Sequence, residues 1–416
     1  MPNPSGSNGI QNGSRPSDEQ LSKLLHDFAH RNLSQTERLQ YLEKEGYKIG
    51  KTTLKKLNRQ FNVPTVKKPP PLPVAAQLVS KAVIKDIAGR NGPTTIQQNV
   101  RLEDKVSIPR DTVRSIMKDL FPHGAEKRFP GKKVPRLRGN LRRGDGVFQE
   151  VHCDGHEKLN AKALHMGSVG IDLYGMRCHS SGKLLHYTVV PNARCSSTVG
   201  HIYLDFIEKY GMICEQLTVD GGSETGEMYA CHHVLHAKYM PEKTAPSFVA
   251  LQSKDNIVIE SSWSHWLRFR GQTLRAMIEA GQTDGIFQPH NDLHVNLFNW
   301  IWPKIVQSAV TEFVNYWNNH KTRTSRTANI PTGVAPNVIF DFPENYGLVN
   351  SGVLISSEDI AALRETIPKS RKECYQWVAD DFDSAAQEVY NRLNSPELSH
   401  TTGWQVFVDM LSLFSK

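Results

Sequence analysis

LTVDGGSETGEM, residues 217–228, is a short apolar run that reaches an aspartate and breaks at once into two glycines. Leu217, Thr218 and Val219 read as a buried strand, and the Gly-Gly pair ends it. Asp220 is thereby set at the rim of a sheet rather than inside it. For this residue alone, a turn-capping role before Gly-Gly is the ordinary alternative.

Two more carboxylates occupy comparable places. Asp154 ends the strand read from GVFQEVHCD, again before a glycine. Glu260 lies early in a long amphipathic helix expected over residues 256–278, three residues before Trp263, on or near the side defined by Trp263, Leu267, Leu274 and Ile278. A carboxylate at the edge of an apolar face is costly unless a cation meets it. A hard divalent ion with oxygen ligands is the economical partner. Asp172 and Glu224 are near these motifs, but surface or turn roles suit them better.

Around these residues the texture is that of a mixed sheet. GVFQEVHCD, SVGIDLYG and KLLHYTVVP read as three consecutive strands, each ended by Gly, Asn or Pro. A helix over 196–210, the strand ICEQLTVD and a helix from about 223 to 237 follow. The fold class is α/β, a mixed sheet covered by helices.

The chain ahead of the sheet reads differently. Residues 1–16 look like a disordered tail, and 17–63 form three short helices. A capping box joins Ser34 and Glu37 at the second of these helices, and Thr52 is expected to cap the third. Leu39, Leu42, Leu54, Leu57 and Phe61 supply the apolar faces, leaving Lys51, Lys55, Lys56 and Arg59 outward, a helix-turn-helix pattern. A proline-rich spacer over 64–76 separates this unit from a second over 77–122. There Pro109 suits a helix start, Val113, Ile116, Met117 and Leu120 face inward, and Arg110, Arg114 and Lys118 align outward. Residues 123–146 form a basic linker that contains Lys132, Lys133, Arg136, Arg138, Arg142 and Arg143; it suits phosphates or a nuclear localisation signal, with a solvated charge run as the bland alternative.

Composition agrees with a polyanionic partner. The 416 residues carry a formal net charge of +8, with pI near 9.0. Six scattered cysteines without a C-x-x-C pair indicate neither a disulfide framework nor a zinc ribbon and fit a reducing compartment. No apolar run approaches the length of a membrane span and no signal-peptide core opens the chain. In CHHVLH, residues 231–236, His232 and His236 share a helix face, but no second ligand pair follows and no zinc is expected. Trp263, Trp266, Trp300, Trp302 and Trp317 fall at helical spacing and read as core.

Asp154, Asp220 and Glu260, at intervals of 66 (154 to 220) and 40 (220 to 260) residues, resemble the D,D,E core of retroviral integrases and related DDE transposases. DGGSETGEM resembles the second-aspartate motif, and SKDNIVIESSW the loop and helix that bear the glutamate. The likeness is nearest to eukaryotic integrase-core proteins of transposon origin, whose first motif resembles HCDGHEKL and whose downstream helices resemble residues 291–323. It covers roughly 147–340, and the paired helical units ahead are also similar to that group. Retroviral integrases begin with a His-His-Cys-Cys zinc module whose spacing is missing here. Relatives commonly place arginines around the glutamate, where this chain has Val258 and Ser261. After residue 340, only helical stretches are expected.

The resemblance implies an RNase H-like core over 147–340, followed by a helical extension over 341–416. It implies catalytic and metal-binding roles for Asp154, Asp220 and Glu260, with two Mg²⁺ or Mn²⁺ ions serving in-line attack on DNA phosphodiesters, either cleavage by water or strand transfer by a 3′-hydroxyl. The expected DNA contacts are the basic residues of the two helical units and the linker, together with Lys254 and Asn256. A nuclear homo-oligomer without a membrane anchor or small-molecule cofactor is implied. The other reading is a DNA-binding protein derived from such an element, with a catalytically silent core serving as a scaffold.

Overall fold

The computed structural model describes residues 13–30, 33–85, 91–122, 124, 144–251, 256–324 and 330–414. They fall into two compact units, essentially residues up to 118 and residues from 132 onward. The expected linker contacts at Lys132, Lys133, Arg136, Arg138, Arg142 and Arg143, and Lys254, lie outside the described residues.

In the first unit, helices α1 (Asp18–His30), α2 (Gln35–Lys44) and α3 (Lys51–Gln60) share a core of Leu21, Leu25, Phe28, Leu42, Leu54 and Leu57. The Ser34–Glu37 capping box is formed, satisfying backbone N–H groups at the start of α2. Thr52 does not cap α3: the N-cap is Gly50, two residues earlier, without a side-chain cap. Helix α4 (Leu72–Lys85) starts inside the expected spacer, because a proline in the first turn lacks only an N–H that would have no helical partner anyway. Helices α5 (Pro93–Glu103) and α6 (Arg110–Leu120) follow. Val113, Ile116, Met117 and Leu120 are buried. Arg110, Arg114 and Lys118, like Lys51, Lys55, Lys56 and Arg59, are exposed.

The second unit opens with strands β1 (Gly146–Val147) and β2 (Glu150–His156), the short helix α7 (Ala161–Leu164), and strands β3 (Asp172–Cys178) and β4 (Leu184–Val190). Helix α8 (Ser196–Tyr210), strands β5 (Met212–Ile213) and β6 (Gln216–Asp220), helix α9 (Gly226–Tyr239) and strand β7 (Phe248–Leu251) come next. Five strands form one sheet in the order β4-β3-β2-β6-β7. The β2–β3 and β3–β4 pairs are antiparallel, whereas β2–β6 and β6–β7 are parallel. Helices lie between the parallel strands, as crossovers require. This is the mixed α/β architecture of an RNase H-like core.

Two strands run further than the glycines suggest. β2 continues two residues past Asp154, and β3 runs through Gly175 to Cys178. Gly175 is a matter of space, not of ending: a Cβ there would come 2.7 Å from the Tyr187 ring and 2.8 Å from the Trp263 ring.

The helix expected over 256–278 is two helices, α10 (Ile257–Trp266) and α11 (Gln272–Thr283), joined by a π-helical turn at Leu267–Gly271. Such a turn inserts a residue into the ladder and rotates the helix beyond it. Helix α12 (Asp292–Asn319) lies along β4 and satisfies that edge strand with side chains. The Asn318 amide accepts from Leu184 N at 2.8 Å and donates to its carbonyl at 2.9 Å, while Gln307 Oε1 accepts from Val189 N at 2.9 Å. Edge backbone groups that would invite another chain are thus occupied.

Beyond residue 340, the structure holds more than helices. Strands β8 (Val349–Asn350) and β9 (Val353–Leu354) pair with β1 and β5. Helix α13 (Gly403–Phe414) puts Trp404, Phe407 and Met410 into the same core as Phe298, Trp302, Trp266 and Trp263. Gly281 admits the Trp404 ring, which a Cβ would overlap at 2.0 Å. The C-terminal segment therefore completes the core rather than hanging from it. Trp263, Trp266, Trp300 and Trp302 are buried, as their spacing suggests.

Candidate active site

Register brings the two aspartates together. His152 pairs with Thr218 across the parallel β2–β6 ladder, so two residues further on Asp154 comes beside Asp220, where β6 ends and β2 runs on against β3. Side chains two apart share a face, which fixes both carboxylates on one side. Neither glycine after Asp220 adopts a positive φ, so the Gly-Gly pair answers a need for room, not for a left-handed turn. Glu260 enters from the first turn of α10. One oxygen from each of Asp154, Asp220 and Glu260 lies within 4.8 Å of the others.

That proximity has an electrostatic cost. Burial, then the charges of Asp220 and Glu260, push the Asp154 carboxyl up to about 8, against an indole N–H that favours its ionised form. The donor is Trp263, whose Nε1 donates to Asp154 Oδ2 at 3.0 Å. Trp263 stacks on His156, with ring centroids 4.8 Å apart, and lies over Gly175, the partner of Asp154 in β3. Three convergent carboxylates, one of them kept from ionising freely by burial and by its neighbours, form a donor set that suits a hard divalent cation.

Asn256 does something other than expected. It is fully buried, and its amide donates to Asp220 Oδ1 at 3.1 Å and to the Cys153 carbonyl at 3.3 Å. Burial removes it from the expected DNA contacts and makes it a positioning residue for Asp220. Its own oxygen lies 2.8 Å from His152 Nδ1. His152 Nε2 in turn lies 2.9 Å from His179 Nδ1. Glu150, bonded by the Thr218 hydroxyl, completes this second cluster. Burial would raise the Glu150 carboxyl, but His152, His179 and Thr218 hold it below its ordinary value.

The helix that bears Glu260 is anchored by a buried cation. Arg177 Nη1 donates to the Val258 carbonyl at 2.5 Å and to Ser261 Oγ at 2.7 Å. Val258 and Ser261, on either side of Glu260, are thus the acceptors of an arginine from β3. Arg177→Met is expected to lower stability by about 1–3 kcal/mol, the range for unmaking buried hydrogen bonds to a charged group. Thermal melting checks this; an unchanged melting temperature would deny Arg177 the anchoring role.

Asp172 and Glu224 stand apart from the carboxylate group. Asp172 accepts the Ala193 N–H at 2.9 Å, and Glu224 lies in a 3-10 turn after Asp220. In CHHVLH, His232 is buried with Nδ1 2.8 Å from the Tyr203 hydroxyl. Among the described residues, His232 and His236 belong to no group of three metal-type ligands.

Sequence reading missed Glu150, His152, His179 and the Trp263 contact. A signal was available in EVHCDGH, where Glu150, His152, Asp154 and His156 put a polar residue at every second position of a strand that is otherwise apolar.

Residues 150–339 match the family model described as integrase core domain. The match contains all three carboxylates and Asn256. Comparison with curated proteins gives no match.

Proposed function

Residues 150–339 are an integrase core domain, and from this premise we propose that the chain is a metal-dependent DNA strand-transferase and nuclease of the DDE type. The observation that carries this reading is the convergence of Asp154, Asp220 and Glu260, one from each of three separate elements, within 4.8 Å. These residues would hold the Mg²⁺ or Mn²⁺ ions. When bound, such ions lower the cost of charge on the attacking and leaving oxygens of a phosphodiester. The chain's own part is positional: Asn256 orients Asp220, Trp263 orients Asp154, and Arg177 steadies the helix that presents Glu260. The test is incubation with linear and branched DNA in Mg²⁺, Mn²⁺ or chelator, with triad variants alongside.

The two N-terminal helical units are read as helix-turn-helix DNA-binding modules, each with an exposed basic helix, α3 and α6. Arg110→Ala and Arg114→Ala are each expected to weaken DNA binding and to reduce the slope of log affinity against log salt by about one for each phosphate no longer neutralised. An unchanged slope removes that residue from the interface. A homo-oligomer working in the nucleus fits this reading. No described helix is long and apolar enough to cross a membrane.

A further inference from the structure

We propose that Glu150, His152 and His179 form a second metal site that takes a zinc-class transition-metal dication, separate from the carboxylate triad. This inference does not rest on the proposed DNA chemistry.

Donor geometry comes first. His152 Nε2 is 2.9 Å from His179 Nδ1 and 3.3 Å from Glu150 Oε1, and His179 Nδ1 is 3.2 Å from Glu150 Oε2. Two ligands bonded to one zinc at about 2.0–2.2 Å lie roughly 3–3.5 Å apart. The three side chains are therefore gathered at ligand spacing. Imidazole and carboxylate together suit zinc and its neighbours better than Mg²⁺.

The tautomer is set by the neighbours. Asn256 Nδ2 faces two acceptors, the Cys153 carbonyl and Asp220, so its Oδ1 must face His152. In the neutral ring, His152 Nδ1 then keeps the proton and donates it to Asn256, so that Nε2 offers its lone pair toward His179 and Glu150. A ligating histidine whose other N–H is fixed by an outer partner is the usual arrangement at metal sites.

Glu150 supplies an independent sign. It is 94% buried (6% exposed), and its Oε2 accepts no hydrogen bond, with only the His179 imidazole at 3.2 Å facing it. Leaving a buried carboxylate oxygen unpaired is costly, and a cation among the three ligands would remove that cost. Backbone geometry holds the set in place. Glu150 and His152 lie two apart on β2, and the His179 N–H bonds the Glu150 carbonyl at 3.0 Å. One hydrogen-bonded chain, His152 to Asn256 to Asp220, joins this site to the catalytic aspartate.

The experiment uses the full, untagged chain carrying Asp154→Asn, Asp220→Asn and Glu260→Gln together, so that the carboxylate triad cannot supply the signal. The protein is equilibrated with Zn²⁺ in excess Mg²⁺, desalted and assayed for bound metal; Co²⁺ is added in parallel for its visible absorption bands. One equivalent of zinc is expected, with a Co²⁺ spectrum of low coordination number. His179→Gln and Glu150→Gln, each added to that background, should weaken zinc binding by about 100-fold or more. Glu150→Gln keeps an oxygen to accept the Thr218 hydroxyl, so circular dichroism should report a folded protein. Absence of stoichiometric zinc would overturn the proposal, leaving a network that shares protons only. Zinc retained undiminished in both variants would overturn it equally, by placing the ion elsewhere.

Discussion

Asp220→Asn is expected to reduce Mg²⁺-dependent nicking and strand transfer by roughly 10³-fold or more, about the loss from removing one principal electrostatic stabiliser of a transition state. DNA affinity at low salt should stay within about twofold, since the proposed phosphate contacts are basic residues outside the triad. The substitution is nearly isosteric. Asn256 donates to one Asp220 oxygen, and an amide oxygen can accept the same bond. The substitution takes away the charge that a divalent ion needs. Asp154→Asn and Glu260→Gln should act in the same direction, because each removes one of only three carboxylates in the group. Activity within tenfold of the unsubstituted protein would place the chemistry elsewhere. DNA binding without any metal-dependent product over a broad substrate panel would favour a binding protein whose core has lost its reaction.

The triad was legible because each member sits beside a local signal: Asp154 and Asp220 each precede a glycine near a strand end, and Glu260 opens an amphipathic helix. Their convergence was not, since it depends on the register His152 to Thr218, which pairs segments 66 residues apart. Gly175 illustrates the same limit. In sequence, a glycine after Leu-Tyr ends a strand, whereas in the fold it makes space for Trp263 to reach Asp154. Asn256 was expected among the DNA contacts by resemblance, in the loop ahead of Glu260; its burial is a tertiary fact. The interruption at Leu267–Gly271 was hidden because hydrophobic spacing on both sides still fits a helix. The C-terminal helices read only as an extension of the core, but Trp404 fits only where Gly281 lacks a side chain.

In the absence of metal, Asp154→Asn should stabilise the folded protein at alkaline pH, the opposite of what loss of a functional residue usually suggests. The folded Asp154 carboxyl is raised to about 8 from an ordinary 3.8, so the folded state keeps a proton that the unfolded chain has released. Stability is therefore full below about pH 4 and declines as pH rises through 8, where the folded group finally ionises against its burial and the charges of Asp220 and Glu260. Each pH unit between the folded and unfolded ionisation corresponds to about 1.4 kcal/mol. Relaxation of the neighbours will reduce the sum, leaving a few kcal/mol, or about 5–10 °C in melting temperature for a unit of this size. Asparagine cannot ionise and escapes this decline. In chelator at pH 8.5, the variant should melt above the unsubstituted protein, and near pH 4 the two should coincide. Saturating Mg²⁺ should reverse the order at pH 8.5, since the ion binds only the folded triad and binds it best with all three charges present. Parallel melting curves across pH in chelator would mean that Asp154 ionises without strain, and that its approach to Asp220 and Glu260 is not what makes the site receptive to a cation.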